Sequence, residues 1–74
     1  MHLGETLTHF QRPEGVSDYR LALLTGIDRG TICNLKKGDV RPTTYTLERI
    51  ARALNIKHSD IILHAESLEL NKRG

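Results

Sequence analysis

The sequence predicts an all-α protein: a compact five-helix fold in a single domain over residues 1–74. Apolar residues recur at helical spacings of three and four along most of the chain. Ser, Asp and Thr stand where these patterns begin, and Gly stands where they end, as is typical of helix termini. Only Leu68 and Leu70 alternate as in a strand, so the end of the chain stays undecided between helix and strand.

The first helix is predicted over residues 3–11. Its apolar residues are spaced by four and then three, at Leu3, Leu7 and Phe10. This spacing places the three side chains on one face of a helix. The pattern stops near Pro13 and Gly15, which commonly end helices.

Two short helices are predicted next, with only a few residues between them. Ser17 is a suitable N-cap for the first, which carries a short amphipathic run over residues 21–24. Gly26 supplies the left-handed conformation that ends a helix, and Asp28 caps the next one. Gly38 ends that second helix. Two short helices joined by a tight glycine turn form a helix-turn-helix pattern.

The strongest helical pattern follows a loop that contains Val40 and Pro42. Thr43 or Thr44 caps this fourth helix, and Asn55 ends it. Its apolar positions are Leu47, Ile50, Ala51 and Leu54. A short fifth helix is predicted around residues 59–63. This helix and the residues after it contain more apolar side chains than the helix needs to pack against the rest of the domain. We therefore predict a dimer surface among Ile61, Ile62, Leu63, Leu68 and Leu70.

Composition limits the kinds of protein that the chain can be. No apolar run approaches the roughly 18–20 residues that span a bilayer, and the N-terminus does not have the pattern of a signal peptide. The lone Cys33 fits a reducing compartment, so we expect a cytoplasmic protein without a membrane partner. The histidines at positions 2, 9, 58 and 64 have no metal-ligand spacing, and no catalytic motif is present. We therefore predict no metal, no cofactor and no enzyme activity.

Charge is distributed unevenly along the sequence. Residues 29–57 hold seven Lys or Arg residues against two acids, whereas the remaining positions hold four against seven. The net charge is only +2. A basic middle between acidic ends indicates a localised binding surface.

The segment SDYRLALLTGIDRGTICNLKKGDVRPTTYTLERIARALNI resembles the helix-turn-helix domain of the Cro/C1 phage repressor type, also called XRE. The resemblance covers about residues 16–63, and 64–74 form a C-terminal tail. The positions that match the family pattern are Ser17, Leu21, Ala22, Gly26, Ile27, Ile32, Leu35, Gly38, Pro42, Leu47, Ala51, Ala53 and Leu54. The resemblance implies a lambda-repressor-like, five-helix domain that binds double-stranded DNA, commonly as a homodimer on a palindromic operator.

Helix geometry separates the side chains of the second motif helix into two faces. With 100° between successive residues, Thr31, Ile32 and Leu35 face the core. The opposite face is predicted to contact bases and holds Arg29, Gly30, Cys33 and Asn34. Arg29 is suited to guanine and Asn34 to adenine. Cys33 is a redox sensor, a thymine-methyl contact or merely a small surface residue. Gly30 either lets the backbone approach the groove closely or is tolerated in the first helical turn.

A second set of residues is predicted to contact phosphates, which determines affinity rather than sequence preference. It comprises Ser17, Lys36, Lys37, Arg41, Thr43 and Tyr45. For Tyr45, packing over the loop is the alternative. The amide groups near Ser17 are also placed to hold a phosphate.

Departures from the family pattern support a rival hypothesis. Lys36 stands where the family usually has Glu or Gln, and we expect it to pair with Glu5 of the first helix. Asp18 stands where a Gln commonly helps to hold a phosphate, and its charge would repel DNA. The main prediction is a sequence-specific, repressor-like transcriptional regulator that inserts helix 29–37 into the major groove. The rival is a protein-binding module on the same fold, such as a modulator of another repressor or an antitoxin.

Overall fold

The computed structural model describes residues 3–73, and for 71–73 it describes the backbone alone. Met1, His2 and Gly74 lie outside the described residues. All three belong to the predicted domain, and His2 is also one of the four histidines considered as metal ligands. The helices are α1 (Leu3–Glu14), α2 (Asp18–Thr25), α3 (Arg29–Lys37), α4 (Thr44–Ala53) and α5 (His58–Arg73). No strand occurs between residues 3 and 73. The all-α prediction with five helices is confirmed.

The capping residues predicted from the sequence are found at the helix ends. Ser17, Asp28 and Thr43 are the N-caps of α2, α3 and α4, and each accepts a backbone N–H with its side chain. Asn55, just after α4, has a φ of 61°, which asparagine tolerates better than most residues. The helix boundaries therefore follow from local hydrogen bonding.

One core joins the five helices. α1 packs against α3 and α5, α2 packs against α3 and α4, and α4 packs against α5. The buried apolar side chains are Leu3, Leu7, Leu21, Ile32, Leu35, Leu47, Ile50, Ala51, Leu54, Ile61 and Ala65. The radius of gyration, 11.5 Å, is close to the value of about 11 Å for a compact chain of this length.

The amphipathic run predicted for α2 is only partly correct. Leu21 is fully buried, but Leu23 is 64% exposed and Leu24 is 50% exposed. An eight-residue helix has two turns, and α2 buries only Leu21 and Thr25, which lie one turn apart. Ala22 is partly buried and packs against the core, whereas Leu23 and Leu24 face away from it.

The fifth helix is much longer than the short helix predicted from the sequence. α5 continues to Arg73, so the strand alternative for Leu68 and Leu70 is wrong. Of the side chains predicted for a dimer surface, Ile61 is fully buried in the core, whereas Leu63 and Leu70 are exposed. The spacing of seven between these two leucines places them on one face of α5.

Polar and aromatic contacts join α1 to α5. The Thr6 hydroxyl is buried and hydrogen-bonds to His64 Nδ1 at 3.0 Å. The rings of His9 and His64 stack with centroids 4.2 Å apart, and Phe10 meets His64 edge-on. These contacts hold α1 against α5 and do not involve the α2–α3 turn.

Candidate nucleic-acid interface

The turn between α2 and α3 is fixed by hydrogen bonds on both sides. Gly26 has a φ of 73°, and its N–H donates to the Ala22 carbonyl at 2.9 Å. The Thr25 hydroxyl donates to the Leu21 carbonyl at 2.8 Å and accepts the Ile27 N–H at 3.1 Å. The turn therefore has one defined conformation, which sets the direction of α3.

Helix α4 also holds this turn. The Arg49 guanidinium donates to the carbonyl oxygen of Thr25. The same guanidinium lies 5.4 Å from the centre of the Tyr45 ring, within cation–π range. The sequence did not point to this role of Arg49, because the contact joins residues 24 positions apart.

The orientation of α3 exposes the predicted base-contacting face. Ile32 and Leu35 are buried at 0% and 2% exposure, which directs this side of the helix inward. The four predicted base-contacting residues all lie in the exposed part of the helix, as does Lys37: they are Arg29, Gly30, Cys33 and Asn34. The structure thus brings these residues together on one accessible helix face. Their contact with DNA stays a prediction.

Thr31 does not belong to the core, contrary to the sequence prediction. Its side chain is exposed, and so are the neighbouring residues Arg29 and Gly30. The first turn of α3 lies outside the packing with α1 and α2, which buries only Ile32 and Leu35. An angular criterion alone cannot detect this end effect.

Gly30 lies in the first turn of α3 beside the N-cap. Its N–H donates to Asp28 Oδ2 at 2.9 Å. A Cβ built on Gly30 would lie 2.9 Å from the same oxygen. The Asp28 side chain thus limits the space around Gly30. The close approach of the backbone to the groove and the tolerance of glycine in the first turn both stay predictions.

Ser17 and Thr43 cap the helices that flank α3 in the sequence. Ser17 Oγ accepts the Arg20 N–H at 3.1 Å, and Thr43 Oγ1 accepts the Thr46 N–H at 3.1 Å. A hydroxyl that accepts a bond can still donate its own proton. The Thr43 hydroxyl also lies 3.0 Å from the Thr46 hydroxyl, and either of the two can be the donor. Ser17 therefore keeps a proton that can bind phosphate, and Thr43 does so when Thr46 is the donor. The side chains of Lys37, Arg41 and Tyr45 are exposed.

Lys36 has a different environment from the other predicted phosphate contacts. Its Nζ lies 2.8 Å from Asp18 Oδ1 and donates to Gln11 Oε1 at 3.0 Å. The expected pairing with Glu5 is replaced by this pairing with Asp18, because α1 offers Gln11 and α2 offers Asp18 at the end of α3. The sequence did not single out Gln11, since its bond to Lys36 joins residues 25 positions apart and its bonds to Val16 and Asp18 form across the loop between α1 and α2.

This ion pair changes the electrostatics of Asp18. The hydrogen bond from Lys36, followed by that from Gln11, lowers the pKa of the Asp18 carboxyl below its ordinary value, and the charge of Arg29 adds to the effect. Burial opposes the shift but is outweighed. Asp18 is therefore an ionised group whose charge is balanced within the protein.

Two further findings concern the described part of the chain. None of the helices between residues 3 and 73 has the length and apolar character that crossing a bilayer requires. Within the same residues, no three His, Cys, Asp or Glu side chains lie close enough together to hold a metal ion.

An exposed helix held by a glycine turn against a second helix defines a helix-turn-helix protein. Residues 9–66 match the family model of the Cro/C1-type HTH DNA-binding domain. The chain belongs to this family, as the sequence resemblance indicated.

A solved structure with the same fold is that of an HTH_3 family transcriptional regulator from Vibrio cholerae. The two share 25% sequence identity with a TM-score of 0.77 over 90% of this chain. The chain spans only 38% of the length of that protein. No curated protein is similar enough in sequence to count as a match.

Proposed function

We propose that the protein is a sequence-specific, repressor-like transcriptional regulator that inserts α3 into the major groove of double-stranded DNA. The observation that carries this proposal is the exposed face of α3, where two hydrogen-bonding side chains, Arg29 and Asn34, stand beside Lys37. Membership of the Cro/C1-type family and the likeness to a transcriptional regulator from Vibrio cholerae support it. An α-helix fits the major groove, and its N-terminal residues lie nearest the bases.

Two side chains would provide most of the sequence preference. Arg29 would donate to O6 and N7 of guanine, and Asn34 would pair with N6 and N7 of adenine. Each such pair contributes about 1–3 kcal/mol of discrimination against a wrong base. Gly30 and Cys33 lie between them and would line the contact without strong hydrogen bonds.

Phosphate contacts would come from both sides of α3. Ser17 and the amide groups at the start of α2 would hold one phosphate, as helix N-termini do. Lys37, Arg41, Thr43 and Tyr45 would contact others. Two copies of the chain on a palindromic operator would place their α3 helices about 34 Å apart, one turn of the duplex.

Fluorescence anisotropy tests this function. The wild type and Arg29→Ala/Asn34→Ala would be titrated with random duplex and with the genomic region that flanks the gene, at two salt concentrations. We expect tight binding to one region, lost in the double variant and weakened by salt. Weak binding to both DNAs, unchanged in the variant, would contradict the proposal.

One observation favours the rival function as a protein-binding module. The side chains of Tyr19, Leu23 and Leu24 on α2 are 59%, 64% and 50% exposed. Three large apolar side chains exposed on one short helix are unusual in a small protein and favour contact with another protein. Asp18 no longer supports this rival, since Lys36 balances its charge. A protein interface of this apolar kind would respond much less to salt than DNA binding does.

A further inference from the structure

Three helices meet at one polar cluster, formed by Gln11 of α1, Asp18 of α2 and Lys36 of α3. Lys36 donates to both partners, and Gln11 Nε2 donates to Asp18 Oδ1 and to the Val16 carbonyl, each at 3.0 Å. The amide of Gln11 thus presents its oxygen to the cation and its nitrogen to the anion. Each donor group in the cluster, Lys36 Nζ and Gln11 Nε2, thus meets an acceptor oxygen of Asp18 or Gln11.

We propose that Lys36 is the internal counter-ion of Asp18 and a positioning residue for α2 and α3, not a phosphate contact. This inference rests on the proposed DNA-binding function and replaces the role that the sequence suggested for Lys36. It assigns the two adjacent lysines at the end of α3 to different tasks: Lys36 positions the helices and Lys37 contacts DNA.

The burial of Lys36 supports this assignment. Only 19% of its side chain is exposed, and its ammonium group has two hydrogen-bond acceptors within 3.0 Å. Turning toward a phosphate would leave Asp18 as an unbalanced negative charge and Gln11 Oε1 without its donor. Asp18 keeps 39% of its side chain exposed, so water partly solvates its charge, but Gln11 is buried at 5% exposure and would lose a donor that water cannot readily replace. Lys37, in contrast, is exposed.

The location of Asp18 explains why a counter-ion matters for DNA binding. Asp18 is the first residue of α2, next to the amide groups that would hold a phosphate. An unbalanced carboxylate at that place would repel the DNA backbone. Lys36 removes this repulsion, and the same bond ties the first turn of α2 to the last turn of α3. The pair therefore contributes to both the charge and the geometry of the helix-turn-helix.

The salt dependence of binding distinguishes a counter-ion from a phosphate contact. Each phosphate contact contributes about 0.9 to the magnitude of the slope of log affinity against log salt concentration. A variant that has lost one contact should therefore lose about 3.5-fold less affinity than the wild type when the salt concentration rises from about 50 to about 200 mM. The variants are Asp18→Asn/Lys36→Gln, which keeps the net charge, with Lys37→Gln and Arg41→Gln as matched controls. The probe is the genomic fragment that the wild type binds most tightly, or random duplex if none is preferred.

We expect the two control variants to lose about one contact each from the slope, and Asp18→Asn/Lys36→Gln to keep the wild-type slope. We also expect Lys36→Gln alone to weaken binding, and the added Asp18→Asn substitution to restore it. A slope that falls in the double variant as it does in Lys37→Gln would overturn the proposal, as would a failure of Asp18→Asn to restore binding.

A second measurement keeps this inference separate from the proposed function. If the wild type binds neither DNA, the proposed function is wrong, and urea unfolding of the same variants decides whether the pair positions the helices. Coupling predicts that the double substitution lowers the unfolding midpoint by less than the sum of the two single substitutions. Purely additive effects would show that Lys36 and Asp18 act independently and would overturn the pairing as well.

Discussion

Gly4 lies where the first turn of α1 meets the end of α3, and this contact leaves no space for a side chain. A Cβ on Gly4 would lie 2.6 Å from the carbonyl oxygen of Lys36. Since that neighbour is backbone, α1 and α3 would have to separate. We predict that Gly4→Ala lowers the free energy of unfolding by about 1–3 kcal/mol, in spite of the better helix propensity of alanine.

Gly30→Ala is a matched control for this prediction in the urea unfolding experiment. There the added Cβ would meet only a carboxylate oxygen of Asp28, which can move. We expect a smaller loss of stability than in Gly4→Ala. Equal losses in the two variants, or a Gly4→Ala protein as stable as the wild type, would show that the close contact between α1 and α3 does not limit residue 4.

The Asp18 carboxyl predicts how stability depends on pH. Its pKa is lowered in the folded protein, chiefly by the hydrogen bond from Lys36, so the folded state favours the ionised form. The resulting stabilisation is fully present above the unfolded-state pKa of about 3.9 and is lost as the pH falls through the lower folded-state pKa. The difference in unfolding midpoint between the wild type and Asp18→Asn should therefore be clear at neutral pH.

Below about pH 3.9 this difference should shrink, because Asp18 is protonated first in the unfolded state and then, at still lower pH, in the folded state as well. Urea unfolding of the two proteins across this range measures the effect. A difference that stays constant from neutral to acidic pH would contradict the assignment of the shift to ionised Asp18. A substitution at the exposed Asp39 controls for the general effect of removing one acid.

Some of the individual residue contacts could be predicted from the sequence and others could not. The accessible face of α3 could be predicted, since it follows from helix periodicity and two buried apolar residues. The partner of Lys36 could not, because Gln11 and Asp18 are 25 and 18 positions away and meet it only after three helices pack. Thr31 was assigned to the core by its angle, although the first turn of α3 extends past the packed surface.

At the scale of elements, the turn between α2 and α3 depends on two properties of Gly26. Its φ is 73°, and a Cβ there would lie 2.8 Å from Nη2 of Arg49, which holds the turn. Gly38 has a φ of 85° but no atom within 4 Å of its Cβ position. We predict that Gly38→Ala costs about 1–2 kcal/mol for the left-handed backbone alone and that Gly26→Ala costs more.

Chemical unfolding of both variants checks this prediction, with Arg49→Ala and the double variant Gly26→Ala/Arg49→Ala added. If the alanine displaces Arg49, removing the arginine first should reduce the effect of the glycine substitution to that seen at Gly38. Additive effects in the double variant would mean that the two residues do not share this contact.

Helix boundaries were predictable where the signal is local. Ser17, Asp28 and Thr43 bond to backbone groups two or three residues away, so their role depends little on tertiary structure. The extent of α5 was not predictable in this way. Leu68 and Leu70 are two positions apart, which fits a strand as well as a helix, and no capping residue near position 64 marks an end.

For the whole molecule, the exposed leucines of α5 lie on a helix separate from the α2–α3 turn. α5 packs against α1 and α4, whereas α3 packs against α1 and α2. Leu63 and Leu70 are 62% and 66% exposed. In the proposed homodimer, these leucines would meet the same residues of a second copy while both α3 helices stay free to contact DNA.

We predict that Leu63→Gln/Leu70→Gln weakens this dimer by about tenfold or more per leucine while leaving the unfolding midpoint nearly unchanged, because both side chains are exposed in the monomer. Ile61→Gln, fully buried in the core, should instead lower the unfolding midpoint strongly. Sedimentation velocity over a range of concentrations, with and without the preferred duplex, measures the effect. A wild type that stays monomeric on DNA would exclude the dimer. A variant that dimerises as tightly as the wild type would show that the dimer contact does not lie on α5.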